Sequence, residues 1–507
     1  MGTAPDTTGR IRPGFRSDGG IQRSLFRLDK YEKLMILIFL VTLPLANPWV
    51  RGDGIGYYAY VRALLIEKSL NFEKDWQHGN DSFKMIRFDA NGHILAQEYT
   101  QTGHINNHWS PGPSMLWAPF LVAAHLAVLL CDRLGAHIPA DGFSTPYLTT
   151  MALSTALYGF LGIWLSYRLA LAYFDKRWAL LGALGIWGAS SLPVYMYFNP
   201  SWSHAHSAFA NALFLWYWNR TRGERSILQW ILLGLVSGLI VDVYYPNGAL
   251  LLVPLLEGFT GYWERWKSPA GGGAAILRLF ARHAIYLGVF VVALLPTLIS
   301  RQIIFGSPLR SGYAVEGFVW KSPALWSVLC SWDHGLISWT PILLLALIGL
   351  VLFRQTDPSF GAYLLVAFLA FYYVISIQPT WDGLSSFGSR YFVSLTPLFI
   401  LGLAAFFDWL ARVWQPRHAR LLATCTTSFL ILWNLGLIFQ WGTHLIPARG
   451  AISWRDAAYN QVAVVPEEVV RTLKSYLAQR KQLMRHLEQQ DYEHLKSDQP
   501  SNTQGSR

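Results

Sequence analysis

The chain has 507 residues, of which 52% are hydrophobic, 15% aromatic and only 14% charged. Soluble domains carry roughly 25% charged residues, so this balance excludes an ordinary soluble enzyme and indicates a polytopic membrane protein. The net charge of +11 would suggest nucleic acid in a soluble protein, but here Arg and Lys fall largely in short loops between apolar segments, a topology signal that excludes a nucleic-acid partner.

Residues 1–32 are polar and basic (Arg10, Arg12, Arg16, Arg23, Arg27). They are expected to stay attached as a cytoplasmic segment, because the leader is long and the region near Ala46 is a poor cleavage site. The first apolar run, Leu34 to Val50, leads directly into Arg51-Gly52-Asp53-Gly54-Ile55-Gly56-Tyr57-Tyr58. A carboxylate three residues past a span sits at a membrane surface, and the flanking glycines let the backbone turn sharply and approach a ligand. About 95 residues then precede the next unambiguous span, far beyond ordinary connection lengths. Within them, 57–68 predicts a short surface helix.

Segments long enough to cross a bilayer, about 20 residues each, are 33–50, 146–173, 178–198, 203–218, 227–243, 246–262, 284–303, 336–353, 359–377, 391–411 and 420–441. The stretch 113–131 is also apolar. Counting it as a crossing would place Lys176/Arg177, Arg220/Arg222/Arg225, Arg265/Lys267/Arg278/Arg282 and Arg412/Arg417/Arg420 outside. A re-entrant or interfacial helix there keeps all of them inside, as the positive-inside rule demands. The expectation is therefore an all-α polytopic membrane protein with about 11 transmembrane helices and a core over 33–441. Its large first extracytoplasmic loop, 51–145, would contain interfacial or re-entrant helices.

The tail, 442–507, changes character and is expected outside the membrane on the extracytoplasmic side. Pro466-Glu467-Glu468 suits a helix start, followed by an apolar stripe of Val469, Val470, Leu473, Tyr476, Leu477, Leu483 and Leu487. This predicts an amphipathic helix docked on the membrane or on the outer loops. The glycines of 271–273 predict a flexible linker on the inner side.

Few ionisable groups fall in mid-span, which disfavours a secondary transporter. Polar chemistry instead gathers at one face, in four segments. These are Asp53 with Tyr57, Tyr58 and Arg62; His104-Ile105-Asn106-Asn107-His108-Trp109-Ser110-Pro111-Gly112-Pro113; Asn199-Pro200-Ser201-Trp202-Ser203-His204-Ala205-His206; and Trp381-Asp382-Gly383 through Ser389-Arg390-Tyr391. Arg390 suits paired hydrogen bonds to a lipid phosphate, or else a partner such as Asp382. His204 and His206 would diverge on a helix and converge in an extended turn, so sugar or phosphate binding, metal chelation and plain packing stay open for them. Cys131, Cys330 and Cys425 show no metal, redox or disulfide spacing. No Walker loop or dinucleotide fingerprint occurs. No cofactor is called for, and a divalent metal stays open.

Together these motifs resemble the GT-C superfamily of membrane glycosyltransferases, in the branch of the protein O-mannosyltransferases and lipid A aminoarabinose transferases. The residues that carry the resemblance are Gly52-Asp53-Gly54-Ile55-Gly56-Tyr57-Tyr58, His108-Trp109-Ser110-Pro111-Gly112-Pro113, His204-Ala205-His206 and Ser386-Phe387-Gly388-Ser389-Arg390-Tyr391, spread over about residues 30–441. It implies a GT-C-like bundle in a bacterial-type cytoplasmic membrane, a sugar donor on a polyprenyl phosphate, and an acceptor glycan, lipid or protein. Asp53 matches the acidic residue that contacts the acceptor. Arg390, His108, His204, His206, Tyr57, Tyr58, Trp109 and Ser389 are the expected donor-binding residues. Gly54 departs from the mannosyltransferase pattern, where a second acid follows, no lysine precedes Pro111, and histidines fill a loop where an aspartate is common. A flippase of lipid-linked sugars and a glycan ligase or polymerase are the alternatives.

Overall fold

The structure is a computed structural model and describes residues 28–267, 272–312 and 317–498. The basic N-terminal residues before 28 and the start of the 271–273 glycine run lie outside the described residues. Among the described residues every regular element is helical, apart from two isolated bridges, Phe88 with Ile94 and Tyr99 with Ile105. Six helices are long and apolar enough to cross a membrane: Gly112–Arg133, Thr145–Ala170, Gly273–Ala293, Pro358–Ser376, Arg390–Val413 and Pro416–Gly442. With shorter apolar helices at Ile227–Val243 and Ile342–Phe353, they make the chain a multi-pass membrane protein.

Several other apolar segments are interrupted, each beside a proline that removes a backbone donor. The first passes from an α-helix, Lys30–Thr42, into a tight 3-10 turn at Leu43–Leu45, which contains Pro44. The 178–198 segment stops at Gly188 and resumes after Pro193 as a wide turn, Val194–Phe198. The 284–303 segment divides before Pro296 and the 336–353 segment at Pro341.

Small residues set the closest helix contacts. A β-carbon at Gly349 would lie 1.8 Å from the carbonyl oxygen of Gly402, and one at Gly402 would lie 2.2 Å from that of Ala346. The helices Ile342–Phe353 and Thr396–Val413 therefore meet backbone to backbone, the packing available where lipid supplies no hydrophobic drive between helices.

The helix Gly112–Arg133 runs beside the first half of Thr145–Ala170 in the opposite direction. Tyr158 donates to the Leu116 carbonyl at 2.9 Å, Trp117 Nε1 donates to Thr155 at 2.8 Å, and His125 meets the Tyr147 hydroxyl at 2.6 Å. Its first turn is thus level with the middle of its neighbour, and at about 1.5 Å per residue its last turn projects past the neighbour's N-terminus. It lies against only one half of the longer helix, and by length and apolar composition it could cross a membrane; a re-entrant or interfacial course for it remains the expectation from the loop charges.

At the far end of that longer helix, ion pairs stitch the bundle together. Lys176 pairs with Asp29 at 3.2 Å and Arg225 with Glu257 at 2.8 Å, while Arg168 pairs with Glu32 and Arg222 with Asp357. Several basic residues at this end are thus matched by acids, and the site described next lies at the opposite end.

Candidate active site

Asp53 opens the helix Asp53–Arg62, entered through Gly52 at φ +52°. A side chain at that φ is strained, and Trp202 packs within 3.3 Å of where a β-carbon would stand. The turn is clamped from both sides: Trp202 Nε1 donates to the Arg51 carbonyl at 2.9 Å, and Gly52 N–H donates to Asn80 Oδ1 at 3.0 Å.

Arg390, 337 residues away, opens the 3-10 turn Arg390–Leu395 and places Nη1 2.8 Å from Asp53 Oδ2. Its partner is therefore Asp53 and not Asp382. The guanidinium lies 4.4 Å over the Trp202 ring and 5.2 Å from that of Tyr391, and its Nε has no hydrogen-bond partner among the described residues. The Arg390 side chain is 10% exposed and that of Asp53 33%. The cation is held by its surroundings, while the carboxylate remains within reach of a second molecule.

Both residues border a chamber of about 1360 Å³. Its polar end also includes His108, Trp109 and Arg87. Asn107 Nδ2 donates to the Gly56 carbonyl at 2.9 Å and the Tyr60 hydroxyl to that of Trp109 at 3.0 Å, which lays the 105–110 loop on the Asp53 helix. Trp109 packs so closely that a β-carbon at Gly56 would sit 2.0 Å from its ring. His108 stacks on Trp109 at 3.8 Å. Burial first, then the nearby Arg87 charge, pushes the His108 imidazole down to about 4 against the upward pull of Asp53. It is neutral at pH 7. Much of the rest of the lining is apolar, including Ile38, Leu184, Trp187, Ile431 and Ile438, with polar groups such as Arg51, His444 and Asp491 among it.

The remaining expected residues divide. Tyr57 is buried behind Asp53, and burial followed by the Asp53 charge pushes its phenol up. His204 is buried, with its ring 4.7 Å from Tyr195 and 6.3 Å from Tyr391. Ser389 is buried and its hydroxyl has no partner among the described residues. None of these three lines the chamber, and Tyr58 and His206 are turned to other partners. The Tyr58 hydroxyl donates to the Gly142 carbonyl at 2.7 Å, and His206 packs on Trp117 and Tyr158 at 4.8 and 5.4 Å. Because His204 and His206 both begin the helix His204–Thr221, their rings diverge. No three metal-ligating side chains cluster among the described residues.

Two features are not visible in the sequence: the place of Arg87 and the reason for Gly54. Arg87 lines the polar end while paired with Glu98 and placed 5.8 Å from Trp109. Nothing in its loop marks it. Gly54 owes its identity to packing: a β-carbon there would fall 2.0 Å from Ser201 Oγ.

No protein-family model and no curated protein matches the chain. Some solved structures are similar to it in outline. ArnT from Cupriavidus metallidurans bound to undecaprenyl phosphate aligns over 84% of this chain and 73% of its own, at 14% identity and a TM-score of 0.46. The archaeal oligosaccharyltransferase AglB from Archaeoglobus fulgidus, in complex with an inhibitory peptide and a dolichol-phosphate, aligns over 91% of this chain and 56% of its own, at 13% identity and a TM-score of 0.45.

Proposed function

We propose that the chain is an integral-membrane glycosyltransferase that moves a sugar from a polyprenyl-phosphate donor to an acceptor hydroxyl or phosphate at the extracytoplasmic face. The observation that carries this reading is the Asp53–Arg390 pair bordering a chamber with a large apolar share in its lining. A phosphate needs a fork of cationic donors, which Arg390 supplies with an unpartnered Nε. A prenyl chain needs apolar walls long enough to shelter it.

The reaction is a single displacement. The acceptor oxygen forms a bond to the anomeric carbon as the bond from that carbon to the phosphate oxygen breaks. The lipid phosphate leaves with the electron pair, and Asp53 takes the acceptor proton when the acceptor is a hydroxyl. Arg390 stabilises the charge that grows on the leaving phosphate. Neutral His108 is suited to hydrogen bonding to sugar or phosphate rather than to supplying a charge. A bacterial-type cytoplasmic membrane, with residues 1–32 inside and the tail outside, is the setting that places this chamber on the outer face.

A transporter would use functional groups at both ends. Here the opposite end carries acid–base pairs that satisfy one another. The test is to supply native membranes with labelled polyprenyl-phosphate sugars, with and without a chelator. Label passing to an acceptor with release of lipid phosphate supports the proposal. Label that moves across the bilayer still bonded to phosphate overturns it.

A further inference from the structure

The C-terminal helices Val465–Ala478 and Arg480–Asp498 do not lie free of the core. Leu473, Tyr476, Leu483 and Leu487 line the chamber, so one wall comes from the apolar stripe of the tail. The hairpin between them is pinned to the end of the first helix, where the Tyr476 hydroxyl donates to the Leu45 carbonyl at 2.8 Å and Arg480 Nη1 to that of Ala46 at 2.6 Å.

Beyond this pivot, the last helix reaches the turn that carries Asp53. Glu488 is 4% exposed, and its Oε1 accepts from Asn80 Nδ2 and Ser82 Oγ, both at 2.6 Å. Its other oxygen lies 3.6 Å from Arg51. Asp491 pairs with the same arginine and accepts from His444 at 2.9 Å. A buried carboxylate is costly unless it finds partners. Glu488 Oε1 and Asp491 meet the core only when the hairpin is seated, while Glu488 Oε2 has no hydrogen-bond partner among the described residues and faces Arg51 at 3.6 Å. Asn80 also accepts from Gly52 N–H, so Glu488 connects through one side chain to the residue before Asp53.

We propose that the hairpin is the movable outer wall of the chamber, latched by Glu488 and Asp491 onto Arg51 and Asn80. Its role in excluding bulk water from Asp53 and Arg390 rests on the function proposed above. An open wall lets water replace the acceptor. The water oxygen then bonds to the anomeric carbon, the lipid phosphate leaves with the electron pair, and the water proton passes to Asp53, releasing free sugar.

The test uses the full chain with Cys131, Cys330 and Cys425 changed to Ser and a reporter, Asn199→Cys, on the buried chamber lining. A membrane-impermeant maleimide reports opening without any catalysis. Adding Glu488→Ala and Asp491→Ala removes several charge-assisted contacts and is expected to speed labelling by at least about ten- to hundredfold, the shift that loss of a single such bond would give. Adding Glu488→Gln alone, which keeps much of the hydrogen bonding, is expected to fall between. With polyprenyl-phosphate sugar supplied, the double variant should raise the ratio of free sugar to transferred sugar. Unchanged labelling in the double variant overturns the movable wall. Faster labelling in the double variant, with no donor cleavage in either the variant or the parent, supports the wall and removes the glycosyltransferase reading instead.

Discussion

Arg390 Nη1 lies 2.8 Å from Asp53 Oδ2, so the candidate base and the candidate phosphate ligand neutralise each other. On the reading proposed above, a donor phosphate competes with Asp53 for the guanidinium, and its binding frees the carboxylate to meet the acceptor.

This arrangement separates binding from chemistry. Asp53→Asn should bind polyprenyl phosphate at least as tightly as the parent, because the internal competitor for Arg390 is gone. Arg390→Gln should bind it more weakly. Calorimetry in detergent measures both, and weaker binding by Asp53→Asn would contradict the competition.

Arg390→Lys keeps the charge but loses the planar fork and its stacking on Trp202. Removing an oriented donor to developing charge typically costs about 10²–10³-fold in kcat. The lysine variant should therefore lose kcat by an amount in that range while changing donor KM less, as measured by initial rates over a donor series.

In the mannosyltransferase pattern that the sequence resembles, a second acid follows the first, and this chain has Gly54 there. Gly54→Asp is not expected to create such an enzyme, because its β-carbon would meet Ser201 Oγ at 2.0 Å. Overpacking of this kind costs typically about 1–3 kcal/mol. A lower melting temperature and reduced transfer are expected for Gly54→Ala as well, with partial recovery on adding Ser201→Gly.

His108 provides a pH test. In the unfolded chain a histidine takes a proton near 6.5, whereas burial holds folded His108 near 4. Between those values the unfolded state binds more protons, so stability falls as pH drops from about 6.5 towards 4. His108→Gln removes this contribution. Melting temperatures measured from pH 7.5 to 4.5 should fall less steeply for the variant than for the parent, and parallel slopes would contradict a neutral buried imidazole.

Much of the site is legible in the sequence because it occupies span ends. Asp53 and Arg390 are charges beside glycines at the borders of apolar segments, and few physical situations other than a surface or a ligand place them there. The proline breaks are visible as residues, but hydropathy averages across them, so 178–198 and 336–353 look continuous. Arg87 is hidden because its position depends on packing against Phe83, Trp76 and Trp109, which no spacing encodes. An amphipathic stripe reveals that the tail covers something apolar. That it covers the chamber is decided by Glu488 and Asp491 meeting Arg51, contacts more than 400 residues apart in sequence that periodicity does not carry.

On the proposed function, Asp53 takes a proton from the acceptor as a sugar leaves a lipid phosphate. Sugar transfer from labelled polyprenyl-phosphate donor should be measured with purified, reconstituted protein, comparing the parent with Asp53→Asn at matched folding and donor occupancy. Loss of transfer by about 10²–10⁴-fold, the contribution of a well-placed general base, is the predicted result. Transfer by Asp53→Asn at the parent rate would contradict the account.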